Sequence, residues 1–154
     1  MGKARTLSGR IVVGVEGSGG SQAALRWAIR EARFRGAVVE VVTAYAPTYV
    51  PAAPDFGYVP LDPVDLVDQI RAMQDTMVET TVSECGGEDV TVERKLLKGR
   101  AADTLIKAAE GADMLVVGNR GRGGFIGLKL GSVSQQIAHH APCPVVIVRA
   151  DLDA

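Results

Sequence analysis

The chain has 154 residues, of which 47% are hydrophobic and 23% are charged, and its formal net charge is -1 at pH 7. This composition is typical of a globular domain, so we expect a single domain over residues 1–154, with residues 1–9 disordered. A nearly neutral chain argues against a protein that neutralises nucleic-acid phosphates, and no stretch reaches the roughly 20 apolar residues that span a bilayer. We therefore expect neither a nucleic-acid partner nor a membrane partner.

The cysteine content bounds the compartment. The chain contains two cysteines, Cys85 and Cys143, which are too few for a disulfide framework or a cysteine metal cluster. Because disulfide-poor chains are usual where thiols stay reduced, we expect a cytoplasmic protein in which both cysteines are small buried hydrophobic residues.

The first part of the chain predicts two strands separated by a helix. A β-branched run at residues 10–15 ends at a glycine turn, as expected of a buried strand. Residues 21–35 carry alanine, leucine and isoleucine on one helical face, and Gly36 follows as a stop signal. Residues 38–45 predict the second strand.

A proline-rich segment follows at residues 46–63, which hold five of the seven prolines. Proline removes a backbone donor and fixes φ, so we predict a long loop with no regular element. Loops of this length are either binding loops or poorly ordered excursions, and the sequence favours neither. A long amphipathic helix is predicted next, over residues 64–85.

The remaining elements continue the alternation of strand and helix. They are a strand of alternating polarity nearer a sheet edge, a helix with Gly111 as its C-cap, a short apolar strand, a helix and a final apolar strand, at residues 90–97, 100–110, 114–117, 132–140 and 145–148. Strict alternation of apolar strands with helices predicts an α/β fold with a parallel sheet covered by helices on both faces. Ligands in such sheets bind beyond the carboxyl ends of the strands, which here are Glu16, Ala44 and Gly118.

A glycine-rich stretch, GNRGRGGFIGLKLGS, separates the fourth strand from the next helix and holds six of the 18 glycines. Glycine permits positive φ and close approach of a ligand to the backbone, and the helix that starts at Ser132 offers unsatisfied N–H groups to an anion. The stretch therefore predicts a phosphate cradle. The alternative is that Ser132 and Gln135 form a capping box that only stabilises their own helix.

Two common phosphate motifs are absent. Lys129 lies two residues before Gly131 and not directly before Ser132, so there is no G-x-x-x-x-G-K-[ST] sequence. The first glycine turn has Gln22 where a dinucleotide fingerprint needs glycine or alanine. A cradle at the fourth strand would therefore be of a different kind.

The spacing Gly118, two residues, Gly121, nine residues, Gly131-Ser132 resembles the G-2x-G-9x-G-[S/T] signature of the ATP-binding branch of the universal stress protein family. The resemblance extends over most of the chain. It includes an acidic residue and Gly-Ser after the first strand, TAY (43–45), KGRAADTLI (98–106), ADMLVVGNRG (112–121), GSVSQQI (131–137) and APCPVVIV (141–148).

The resemblance implies a Rossmann-like sheet of five parallel strands in the order 3-2-1-4-5, as in adenine nucleotide alpha hydrolases, and it implies ATP as the ligand. The adenine and ribose would lie against Gly14, Val15, Glu16 and Ala44. The phosphates would lie against Val117, Gly118, Gly121, Gly131, Ser132, Val133 and Ser134, with the two serine hydroxyls as donors.

Three further residues are candidates at this site. Arg120 and Arg122 flank Gly121, and charge-assisted bonds to phosphate oxygens are the functional alternative to solvated loop arginines. Glu16 stands where the family usually has Asp, and its carboxylate still reaches the ribose or a magnesium-bound water, with a changed metal geometry. The resemblance thus implies ATP, with Mg²⁺ near Glu16.

The sequence favours a nucleotide-binding switch with slow or no ATP hydrolysis, because fast turnover needs a base, a metal and cationic groups that it does not place together. The alternatives are an ATPase or adenylyl-transfer enzyme, a cyclic-AMP-binding stress protein and an interaction module without nucleotide. The family commonly pairs through the last strand, so the resemblance implies a homodimer through residues 145–149.

Overall fold

The computed structural model describes residues 9–46, 49–51, 58–60, 63–119 and 130–150. Within these residues the chain forms seven strands and four helices. The strands are β1 (Arg10–Gly14), β2 (Val38–Tyr45), β3 (Tyr49–Pro51), β4 (Tyr58–Pro60), β5 (Val92–Lys98), β6 (Met114–Gly118) and β7 (Val145–Val148). The helices are α1 (Gly19–Arg35), α2 (Pro63–Cys85), α3 (Ala101–Ala108) and α4 (Ser132–His140).

Five strands form one parallel sheet in the order β5-β2-β1-β6-β7. Strand β1 is central, and its Val13 pairs with Val41 on one side and Val116 on the other. The predicted α/β fold with the order 3-2-1-4-5 is thereby confirmed. The strand of alternating polarity, which was predicted nearer a sheet edge, is β5, and it lies at an edge of the sheet.

The helices cover both faces of this sheet, because successive strand residues enter two separate cores. Ile11 and Val13 pack with side chains of α1 and α2, whereas Val12 packs with side chains of α3 and α4. All three valine and isoleucine side chains are fully buried. Burial on both faces explains why the strands are continuous apolar runs rather than alternating ones.

Two expectations about helix ends need correction. Helix α1 begins at Gly19, earlier than predicted, because the Ser18 side chain accepts a hydrogen bond from the Ser21 N–H at 3.1 Å and caps the first turn. Helix α3 ends at Ala108 with Ala109 as its C-cap, so Gly111, with φ of 76°, is not the cap. Gly36, with φ of 70°, is the predicted stop of α1.

The proline-rich segment also departs from expectation. We predicted no regular element in residues 46–63, but β3 and β4 pair antiparallel within it. Pro51 and Pro60 each end their strand in this isolated pair, where a missing N–H costs less than in a central strand. The segment is therefore partly a β-ribbon.

Candidate functional site

The winding of the sheet reverses between β1 and β6. The chain passes from β1 to β2 and β5 on one side, then returns to β6 and β7 on the other. In open parallel sheets this reversal opens a crevice outside the carboxyl ends of the two strands concerned. The residues at these ends are Gly14 and Gly118.

The turn between β1 and α1 borders one side of this crevice. Gly17 adopts φ of 93°, a conformation that favours glycine, and allows the chain to turn into α1. The exposed Glu16 carboxylate folds back onto Ser18, accepting from its N–H at 3.2 Å and from its hydroxyl. The Ser21 hydroxyl accepts from the Glu16 N–H at 3.3 Å. The N-terminus of α1 is thus already beside a negative charge.

Gly118, the first glycine of the signature, is required by packing. A Cβ at this position would lie 2.7 Å from the carbonyl carbon and 2.8 Å from the carbonyl oxygen of Gly20 in α1. Gly118 does not have positive φ. The missing side chain of Gly118 therefore lets the end of β6 approach the backbone of the first turn of α1. This approach fixes the end of β6 against the turn that borders one side of the crevice.

Gly14 has a comparable role on the opposite face of the sheet. Its Cβ would lie 2.7 Å from a Leu105 methyl carbon in α3. The side chains of Val15 and Val117 are also buried, at 2% and 4% exposure. At Gly14, Val15 and Val117, therefore, only backbone atoms are available to contact a ligand.

The first turn of α4 borders the other side of the crevice. Its N-cap is Gly131, with φ of -72°, which has no side chain with which to cap the helix. Ser132 is the first helical residue, so the capping box with Gln135 is wrong; the Gln135 N–H bonds instead to the Gly131 carbonyl at 3.0 Å. The N–H groups of Ser132 and the next two residues have no acceptor within the helix.

Ser134 lies differently from Ser132. It is 3% exposed, and its hydroxyl donates to the carbonyl oxygens of Gly118 at 2.8 Å and Asn119 at 3.1 Å. The Ser132 side chain is exposed. A hydroxyl has one proton to donate, so the Ser134 proton is engaged within the protein, whereas the Ser132 hydroxyl is on an exposed side chain.

The remaining predicted residues fall into two groups. Ala44 and Val133 are half-buried, the first near the end of β2 and the second in the first turn of α4 against the core. Arg120, Gly121 and Arg122 lie outside the described residues. The structure therefore brings the ends of β1, β2 and β6 and the start of α4 to one edge of the sheet.

Sequence reasoning missed several residues that shape this edge. Asn119 and Gly20 act through their backbones, and Ser18 and Ser21 through hydroxyls that bind the β1–α1 turn. The serine-glycine turn after β1 was a visible N-cap signal for Ser18. Close backbone approach at Gly20 has no signal in a single sequence.

Among the described residues, no three side chains of His, Cys, Asp or Glu are grouped so as to hold a metal ion. A groove of about 450 Å³ lies elsewhere, between α1 and α2, and is lined in part by Gln22, Met73 and Met77. Among the helices that the structure describes, none combines the length and apolarity needed to cross a membrane.

Comparison with known proteins places this geometry in context. The sequence model of the Universal stress protein family matches residues 8–149. A universal stress protein of Mycolicibacterium smegmatis is 37% identical over 145 residues, which are 92% of this chain and 48% of that protein. The chain spans about half the length of the curated relatives it matches.

Solved structures share the fold over most of the chain. A universal stress protein in complex with cAMP has a TM-score of 0.67 and 26% identity, with 94% of this chain and 99% of that chain covered. The universal stress protein UspA from Lactobacillus plantarum has a TM-score of 0.74 and 22% identity, with 94% and 100% covered.

Proposed function

The chain belongs to the universal stress protein family, and we propose that it binds ATP in the crevice outside β1 and β6 and acts as a nucleotide-dependent switch in the stress response, with slow or no hydrolysis. The observation that carries this proposal is the first turn of α4, which lies beside the end of β6 and whose N-cap residue, Gly131, supplies no side-chain cap. An uncapped helix start attracts a phosphate group through its N–H groups and its dipole.

Charge at the two helix starts supports one orientation of the nucleotide. The N-terminus of α1 has the Glu16 carboxylate folded against it, which disfavours a second anion there. Helix α4 has no acidic residue in its first turn. The phosphates would therefore lie at Gly131, Ser132 and the N–H of Val133, and the adenosine would lie toward the ends of β1 and β2, near Ala44.

The arrangement of Glu16 supports slow turnover. A general-base carboxylate must lie within reach of the attacking water, whereas the Oε1 oxygen of Glu16 is directed at Ser18, from whose N–H and hydroxyl it accepts. Glu16 is one carboxylate and not a metal cluster, so Mg²⁺ would be held mainly by the phosphates of ATP. Any hydrolysis that does depend on this carboxylate would stop in Glu16→Gln.

Cyclic AMP is the second candidate ligand, because a universal stress protein that is 26% identical to this chain was solved in complex with cAMP. A cyclic phosphate carries one negative charge and would need fewer N–H donors than a triphosphate. Competition between the two nucleotides at one site distinguishes the candidates.

A second copy of the chain is the proposed partner, and β7 with Arg149 is the proposed contact. Strand β7 lies at an edge of the sheet, and Val145, Val146 and Ile147 are only half-buried there. An apolar edge strand favours pairing with another chain.

The first experiment tests occupancy and affinity. The protein is purified without added nucleotide, denatured, and any released adenine compound is identified by mass spectrometry. Calorimetric titrations of nucleotide-free protein with ATP, ADP, AMP, cAMP and adenosine then rank the ligands. We expect ATP to bind more tightly than adenosine.

A matched pair of variants isolates the charge at α4. Ser132→Asp adds a carboxylate where the helix dipole favours it, so the variant keeps or gains stability, by about 0.3–1 kcal/mol. The same carboxylate repels a phosphate, so ATP affinity falls at least tenfold relative to Ser132→Asn, while adenosine affinity does not change. Equal ATP affinity of the two variants would exclude α4 as the phosphate site, and an empty wild-type protein that binds none of the nucleotides would refute the proposal.

A further inference from the structure

The two ends of the glycine-rich segment meet at a set of backbone and side-chain contacts that we call the neck, formed by Gly118, Asn119, Gly131 and Ser134. The Gly131 N–H donates to the Asn119 carbonyl at 2.7 Å. The Ser134 hydroxyl reaches the carbonyl oxygens of Gly118 and Asn119 at 2.8 and 3.1 Å. The neck therefore ties the last residues of β6 to the first turn of α4.

Ser134 is the side chain that closes the neck. It is 3% exposed, and its hydroxyl lies against two strand-end carbonyls, which need a donor when they are buried. The Asn119 N–H bonds in turn to the Val148 carbonyl of β7 at 2.8 Å. The Ser134 hydroxyl thus links α4 to the end of β6, which is itself hydrogen-bonded to the edge strand β7.

We propose that the Ser134 side chain positions α4 and does not bind phosphate: its hydroxyl closes the neck so that the first turn of α4 faces the crevice, and of the two serine hydroxyls Ser132 presents its own to the phosphate. This inference rests on the proposed nucleotide site. It separates two serines whose hydroxyls the family resemblance treats alike, as phosphate donors. The separation follows from burial, because Ser134 is enclosed and Ser132 is exposed.

The test compares Ser134→Ala, Ser134→Thr and Ser132→Ala with the wild-type protein, all free of nucleotide. The first readout is exchange of the Gly131 amide hydrogen with deuterium, followed by NMR, since this amide donates across the neck. We expect exchange about tenfold faster in Ser134→Ala, and close to the wild-type rate in Ser134→Thr, which keeps the hydroxyl, and in Ser132→Ala.

The second readout is affinity for ATP and for adenosine by calorimetry. Loss of one hydrogen bond, direct or indirect, weakens binding by about five- to tenfold, so ATP affinity falls by that factor in both alanine variants. Adenosine affinity stays within about twofold, because the Ser134 hydroxyl bonds to Gly118 and Asn119 and not to the ends of β1 and β2, where the adenosine would lie. Only Ser134→Ala combines weaker ATP binding with faster exchange.

Three outcomes bear on whether Ser134 positions α4 or binds the phosphate directly. Weaker ATP binding by Ser134→Ala with an unchanged Gly131 exchange rate would make Ser134 a direct ligand and overturn the inference. An unchanged exchange rate with unchanged affinity would also overturn it. If the wild-type protein binds no nucleotide, the proposed function fails, and the exchange rate still shows whether Ser134 closes the neck.

Discussion

Replacing Gly118 with alanine tests whether the first signature glycine serves packing or the ligand. The added Cβ would lie 2.7, 2.8 and 3.1 Å from the C, O and Cα atoms of Gly20. Ordinary contacts between carbon atoms are about 3.5–4.0 Å, so the overlap is close to 1 Å and falls on backbone atoms that have no rotamer to change. Either the first turn of α1 or the end of β6 must move.

Overpacking of this kind costs about 1–3 kcal/mol. A loss of about 2 kcal/mol in a chain of this size lowers the melting temperature by roughly 4–8 °C. We expect this loss in nucleotide-free protein, measured by urea denaturation with an unchanged m value and by calorimetric melting.

Gly19→Ala is the matched control, one residue before the contacted Gly20. A Cβ at Gly19 meets nothing within 4 Å, and the position is helical, so stability should stay constant or rise by up to about 1 kcal/mol. If Gly118→Ala is as stable as the wild type and only loses nucleotide affinity, the packing explanation is wrong and the glycine is there for the ligand.

Three further outcomes follow from individual contacts. Thr81 is fully buried and its hydroxyl has no partner among the described residues, so Thr81→Val should raise the free energy of unfolding by about 1 kcal/mol; a loss of stability in urea would show that the hydroxyl is satisfied. Arg10 donates to the buried Glu40 carboxylate at 3.2 Å and to the carbonyl oxygens of Ala108 and Glu110 at the end of α3, so Arg10→Met should cost about 2 kcal/mol in the same assay. Burial raises the pKa of the Cys143 thiol, so at pH 8 a smaller fraction of it is thiolate in the folded chain than in the urea-unfolded chain. In a variant that lacks Cys85, iodoacetamide should therefore modify Cys143 more slowly in the folded chain. Equal rates would show that the thiol is not protected.

The order of strands and helices was predictable from the sequence because it depends on local patterns. Runs such as residues 10–14 are apolar throughout, which is what a strand buried on both faces requires, and the glycines and prolines between runs mark their ends. The glycine spacing after β6 indicated a ligand site at the carboxyl ends of the strands, which is also where open parallel sheets bind their ligands.

Local signals were less informative where two segments compete for one group. Ser132 and Gln135 satisfy the capping-box pattern, yet Gly131 is the N-cap and Ser132 is left without that bond. The proline count of residues 46–63 indicated a loop, but pairing between Tyr49–Pro51 and Tyr58–Pro60 depends on which strand ends can meet. Neither outcome is encoded in the spacing of residue types.

The sequence by itself determined the fold class, the approximate elements and the edge of the sheet where a ligand is expected, because periodicity and glycine placement act over a few residues. Only the tertiary structure decided what each residue does at that edge. Gly118 accommodates Gly20, Ser134 closes the neck and Glu16 folds onto Ser18, and each role depends on a neighbour's position. A residue's function at this site follows from which atoms lie within about 3 Å of it, and for Gly118 and Ser134 those atoms come from distant parts of the chain.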